Sequence, residues 1–264
     1  MIDIKNTGEI SIMAEGGRIL AEVLNEVLSK IKPGVSELEL DLLAEKLIRE
    51  KGATPGFKRV KGYRHSICVS TNDVVVHGIP TNYRFKEGDV VGIDCGVYYK
   101  RFNTDCAQTL RVKSQISSIR QAQDKSQIDE DEIDIFLETG KRALEQAIKV
   151  TKVGNRIGHI SKTIQNIVEG QGYSVVRSLV GHGVGKKLHE EPEVPGFLGT
   201  KIENTPSLRV GMTIAIEVIY NMGGMDVIYL NNDGWTIKTK DNSLSGLFER
   251  TVAITQYGPA ILTK

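Results

Sequence analysis

Three carboxylates stand in stretches where a charge is out of place. Asp94 ends the run Val90-Val91-Gly92-Ile93, Glu217 lies inside Thr213-Ile214-Ala215-Ile216-Glu217-Val218-Ile219, and Glu249 comes just before Thr251-Val252-Ala253-Ile254. Each run reads as a buried strand, and a carboxylate taken out of water there is costly unless it is paired or bound to metal. Asp105, in Asn103-Thr104-Asp105-Cys106-Ala107, follows Asp94 by 11 residues and could face it across a hairpin. One buried acid usually has an Arg or Lys partner, whereas four such acids with a histidine point toward metal. Among the five histidines, His77 closes an apolar strand in Val76-His77-Gly78-Ile79-Pro80. His182 and His189 flank a glycine-rich turn that runs from Gly181 to Pro192, while His65 and His159 have no comparable setting.

Oxygen-rich ligation with one imidazole suits Mn, Fe(II), Co or Zn. Bridging carboxylates would permit two ions about 3.5 to 4 Å apart, an arrangement suited to hydrolysis. No HExxH occurs, and Cys68, Cys95 and Cys106 form no CxxC, which excludes a zincin and a structural zinc site. The Gly181-His182-Gly183-Val184-Gly185-Lys186 turn has neither spacing of a nucleotide-binding loop. A nucleophilic Cys-His pair would need a geometry that sequence does not display, so the cysteines read as reduced packing residues of a reducing compartment.

These side chains need rigid elements beneath them. Apolar residues recur at helical steps over 9–31, up to Lys32-Pro33-Gly34, and again from Ser36 to near Gly52, opened by the capping pattern Ser36-x-x-Glu39. Short β-rich runs follow at 66–70, 74–76 and 90–94. The second half repeats the order, with helices predicted from about 131 to 150 and 156 to 170 and a strand at 174–176. Lys32, Gly34 and Gly52 map onto Lys152, Gly154 and Gly172 with one offset of 120 residues. An α+β chain of two related halves, about 9–112 and 131–255, is expected, with sheets joined about a pseudo-twofold axis and a site at the junction. The polar stretch 113–130 reads as a solvated connector.

At 264 residues and 29.1 kDa, with 40% apolar and 25% charged residues, the chain suits one domain with a substantial core. The balance of 34 Lys plus Arg against 33 Asp plus Glu offers no net pull toward nucleic acid or an anionic membrane. Neither a signal peptide nor a run of 18 apolar residues occurs, so a cytoplasmic protein is expected.

Taken in order, these fragments resemble the type I methionine aminopeptidases of peptidase family M24. The resemblance spans nearly the whole chain: Val76-His77-Gly78-Ile79-Pro80, Gly92-Ile93-Asp94, Thr104-Asp105, Gly181 to Gly185 leading to His189-Glu190-Glu191-Pro192, Ile216-Glu217, Asp233-Gly234-Trp235-Thr236 and Phe248-Glu249. It implies the pita-bread fold, a monomer, and removal of an N-terminal methionine that precedes a small residue. It also implies five ligands for two divalent ions (Co, Mn, Fe(II) or Zn). Asp105 and Glu249 would bridge, Asp94 would complete one site, and His182 and Glu217 would complete the other. His77 and His189 would contact substrate, with Tyr63, Cys68 and Trp235 around the methionine side chain, and Glu217 would relay a proton. Nascent polypeptide N-termini would be the substrates, and a transient contact with the ribosome would use the catalytic domain itself.

Four departures from the family pattern stand out. Arg250 follows the last ligand where His is common, Val218 follows Glu217 where Pro is usual, Val153 replaces a customary Pro, and the connector is longer than typical. A cation at Arg250 is expected to lower the basicity of Glu249. Two rivals remain at this level, a pita-bread peptidase of Xaa-Pro type and a silent module that binds peptides or proteins.

Overall fold

The computed structural model describes residues 2–113, 132–230 and 233–264. The connector expected at 113–130 lies, beyond its first residue, outside the described residues. Helix α1 (Thr7–Ser29) opens on a reciprocal cap in which the Asn6 side chain accepts from the Glu9 N–H and the Glu9 carboxylate accepts from the Asn6 N–H. It starts and stops two residues before the span expected from periodicity. Helix α2 (Glu37–Glu50) carries the predicted cap, with Ser36 and Glu39 bonded to each other's backbone N–H.

Five strands complete the first half: β1 (Thr54–Pro55), β2 (Ile67–Thr71), β3 (Val74–Val76), β4 (Val90–Tyr99) and β5 (Phe102–Arg111). β4 runs well past Asp94, because the hairpin to β5 turns only at Lys100 and Arg101, both at positive φ. It pairs antiparallel with β5 along one edge and with β2 and β1 along the other.

The second half begins with α3 (Glu132–Val150) and α4 (Ile157–Glu169). The strands β6 (Ser174–Val175), β7 (Val180–Gly183), β8 (Glu190–Pro195), β9 (Thr213–Asn221), β10 (Val227–Tyr229), β11 (Ile237–Thr239), β12 (Ser245–Thr255) and β13 (Gly258–Ile261) follow. β9 pairs with β12 on one edge and with β7 and β6 on the other, while β3 joins β11 and β10 in a small separate sheet.

Corresponding pieces of the two halves have corresponding geometry. Gly34 and Gly154 have φ of 91° and 93°, and Gly52 and Gly172 have 73° and 85°, left-handed values that bracket α2 and α4 and that glycine adopts without penalty. β1 lies on β4 as β6 lies on β9.

β5 and β12 meet through side chains. Thr251 Oγ1 accepts from the Asp105 N–H at 2.9 Å and donates to the Asp105 C=O at 2.8 Å. Across the same seam, Thr109 Oγ1 accepts from the Leu247 N–H at 2.9 Å and donates to the Leu247 C=O at 2.8 Å. Strand alternation then sorts the residues by face. Val91, Ile93, Cys95, Val97 and Cys106 pack into the core with α1 and α2, and Ile216, Val218, Phe248 and Val252 pack into the core with α3 and α4. Burial of each large aliphatic or aromatic side chain contributes about 1.5–3 kcal/mol. Asp94, Asp105, Glu217 and Glu249 have the opposite parity, so all four share the face that the helices leave open.

Replacing Thr251 with Val keeps the shape and strands the buried Asp105 N–H. Thr251→Val should lower unfolding free energy by about 1–3 kcal/mol in urea denaturation; an unchanged midpoint would show that the hydroxyl does not hold the seam.

Candidate active site

Glu217 and Glu249 are direct cross-strand partners on β9 and β12. Asp94 and Asp105 are diagonal rather than opposed, since Asp94 faces Ala107 and Asp105 faces Gly96. β7 brings in His182 beside Ala215, placing its Nε2 3.5 Å from Glu217 Oε1 and 4.0 Å from Asp105 Oδ2. Its Nδ1 lies 2.8 Å from the Gly183 carbonyl, which can only accept, so Nδ1 carries the proton and the Nε2 lone pair faces the carboxylates. One ligand atom each from Asp105, His182 and Glu249 falls within 4.8 Å of the others.

Asp94 Oδ1 and Glu249 Oε1 are buried without a hydrogen-bond partner. Burial pushes the Asp94 carboxyl up to about 7. It raises Asp105, Glu217 and Glu249 well above the carboxylate range, and the neighbouring carboxylates raise them further. Burial acts oppositely on the imidazoles, holding His77 and His182 down to about 4, with the neighbouring His189 adding to the effect. Unpartnered carboxylate oxygens beside a deprotonated imidazole nitrogen fit a hard or borderline divalent cation, which would satisfy the stranded oxygens and offset the repulsion.

Arg250 does not behave as its position beside Glu249 suggests. Alternation turns it to the helix side, where Nη1 donates to the carbonyls of Glu249 at 2.7 Å and Ala107 at 3.2 Å and Nη2 donates to Gln108 Oε1 at 3.2 Å. Its charge therefore ties β12 to β5, and the carboxyl of Glu249 is raised rather than lowered.

A cavity of about 100 Å³ opens on the cluster. Its far end is apolar, made by Phe57, Val60, Tyr63, Cys68, Leu188 and Trp235, and its near end holds His77 and His189. His77 sits at φ 57°, a left-handed conformation that L residues rarely adopt. The rings of His182 and His189 are edge-on at 4.4 Å. Tyr63 donates its hydroxyl proton to the Ile67 carbonyl at 2.9 Å, and its ring meets Trp235 edge-on at 5.1 Å. Asp233 holds Trp235 by accepting from the N–H groups of Trp235 and Thr236 at 2.8 and 2.9 Å. Tyr63, Cys68 and Trp235 thus line one cavity, together with Phe57, Val60 and Leu188, which carry no signal of their own in the sequence. A wider groove of about 720 Å³ adjoins the cluster, with Val76, Leu179 and Ile219 among its apolar lining.

The pattern of metallopeptidase family M24 matches residues 11–256. The chain belongs to that family. A methionine aminopeptidase of Clostridium perfringens is 43% identical across all of this chain and 99% of its own length. The crystal structure of the methionine aminopeptidase from Thermotoga maritima superposes with a TM-score of 0.90 at 38% identity, covering both chains completely. A prolidase from Pyrococcus horikoshii gives 0.71 at 26% identity, and the match takes in 63% of that chain. Relatedness of this extent makes the chain an M24 aminopeptidase of pita-bread fold, on the methionine aminopeptidase side of the family. A metallopeptidase of this family uses divalent metal, and the acidic cluster is where the described residues could hold it.

The raised carboxyl values set the sign of a pH effect. In the absence of metal, the folded chain retains protons that the unfolded chain, with ordinary carboxyls, has already released, so stability falls as pH rises through the folded values. The depressed histidines act the other way, but only below about 6.5. Melting temperature of chelator-stripped protein should therefore drop as pH rises above about 6.5, and Mn should reverse the drop. A flat or rising profile would contradict the raised carboxyl groups of this cluster.

Proposed function

We propose that the chain removes the initiator methionine from new proteins whose second residue is small. What carries this reading is the junction of two environments, a carboxylate-imidazole cluster opening directly onto a small cavity whose remaining walls are apolar and aromatic. Asp94, Asp105, His182, Glu217 and Glu249 would hold two divalent ions drawn from Mn, Fe(II), Co or Zn. Bound there, the ions would supply Lewis-acid activation of water and of the scissile carbonyl.

The chain's own groups do the remainder. The pocket takes the unbranched thioether side chain, for which aromatic faces and the Cys68 sulfur are compatible neighbours. Asp94, which lines the cavity, would receive the free α-amino group, and this would confine cleavage to the first residue. Glu217 can take a proton from the attacking water on a carboxyl oxygen and deliver it to the leaving amide nitrogen. His189, whose pKa burial lowers, is a neutral N–H donor for the developing oxyanion, and His77 is a second neutral donor to the substrate. The departing polypeptide would run along the adjoining groove.

Nascent polypeptide N-termini are the substrates in this reading, which places the work in the cytoplasm and close to the ribosome, with which contact would be transient. No helix among the described residues is long and apolar enough to cross a membrane. The chain would act as a monomer without nucleic acid, one catalytic domain whose halves, about 9–112 and 131–255, are related by duplication.

Chelator-stripped protein given Mn, Fe(II) or Co should release methionine from Met-Ala-Ser and leave Ala-Pro intact. Glu217→Gln should lower kcat by about 10²–10⁴-fold. Release from Ala-Pro would transfer the chain to the Xaa-Pro reading, and silence on both peptides with metal bound would favour a peptide-binding module.

A further inference from the structure

Asp41 and His65 lie outside the acidic cluster, yet they grip the wall of the pocket. Asp41 projects from α2 and is 5% exposed. Its Oδ1 accepts from the N–H groups of Ser66 at 2.7 Å and Ile67 at 3.2 Å, and its Oδ2 lies 2.8 Å from His65 Nδ1. One carboxylate thus fixes three successive residues. They form the link between Tyr63 and Cys68, the two side chains whose hydroxyl and sulfur meet at 3.1 Å in the pocket wall. The Tyr63 ring is edge-on to His65 at 5.9 Å as well as to Trp235.

The anchor is rigid because α2 is rooted in the core by Leu40, Ala44 and Ile48, each at most 1% exposed. Hydrogen bonds from backbone N–H groups to a carboxylate are shorter and stronger than neutral ones, so the helix dictates where the link sits. We propose that Asp41 is a positioning residue that sets the width of the pocket, with His65 as its clamp. The inference rests on the reading of this pocket as the seat of the substrate's first side chain. Misplacing Tyr63 would then loosen the fit to methionine without touching the groups that move protons.

The chain has one tryptophan, and it stands against Tyr63, so intrinsic fluorescence reads this wall without turnover. The experiment compares wild type, Asp41→Asn and His65→Ala. Emission is recorded on chelator-stripped protein, and kinetics are recorded with Mn on Met-Ala-Ser and Leu-Ala-Ser. Asp41→Asn should shift Trp235 emission, raise KM for Met-Ala-Ser about tenfold with a much smaller change in kcat, and narrow the preference for Met over Leu. His65→Ala should move the same three readouts in the same direction by less. A folded Asp41→Asn protein with unchanged emission, KM and Met-to-Leu preference would overturn the proposal; if that variant does not fold, the same null result in His65→Ala overturns it. Wild type that releases no methionine refutes the functional reading instead, and the emission of Asp41→Asn then decides alone whether Asp41 shapes the wall.

Discussion

Four carboxyl groups crowded over one seam between two sheets repel one another and have been taken out of water, and much of the architecture serves to keep them there. Their common face follows from strand alternation, which sends Ile93, Ile216 and Phe248 toward the helices and Asp94, Glu217 and Glu249 away from them. All four α-helices among the described residues contribute to the cores on one side, which leaves the other side to form a site. The seam itself is closed by Thr109, Thr251 and Arg250, whose side chains bridge β5 and β12. Asp105 is therefore held by the backbone of one half and by a hydroxyl of the other. A divalent cation relieves the repulsion that this construction stores, and the same cation is what a hydrolase of this family requires.

Two kinds of constraint shape the substrate side. The end beside the cluster is polar, and burial lowers the pKa of His77, His182 and His189, which disfavours added positive charge next to the carboxyl groups. The opposite end is apolar and narrow, and its walls come from separate parts of the chain: Phe57 and Val60 from a short turn, Tyr63 from the approach to β2, Cys68 from β2 itself, Leu188 from the turn before β8, and Trp235 from the loop before β11. In the proposed reading, selectivity for a single side chain depends on the mutual placement of these segments.

The sequence made the acidic cluster legible because a charge inside a run such as Ile214-Ala215-Ile216-Glu217-Val218 violates the ordinary partition of residues, and such violations mark functional sites. Helices α1 and α2 were equally legible from periodicity and from the Ser36 to Glu39 cap. The paired glycines at 34 and 154 and at 52 and 172 anticipated the matching left-handed turns of the two halves. Orientation was less accessible. Arg250 is adjacent to Glu249 in sequence, yet strand parity sends its guanidinium to the other face, where it bonds to carbonyls. Nor could spacing distinguish a direct from a diagonal pairing of Asp94 and Asp105, because the hairpin turn decides the register. Asp41 was hidden for a different reason. It lies in an ordinary amphipathic helix, and its significance arises only when the Tyr63 to Cys68 link folds against it.

The most direct test of the central claim, that the buried carboxylates over the seam form a divalent metal centre, is anomalous diffraction from crystals of the protein soaked in Mn. The account predicts anomalous density among Asp94, Asp105, His182, Glu217 and Glu249, and its loss in a Glu249→Ala variant. Density elsewhere on the molecule with none at this cluster, or density that persists unchanged in the variant, would contradict it.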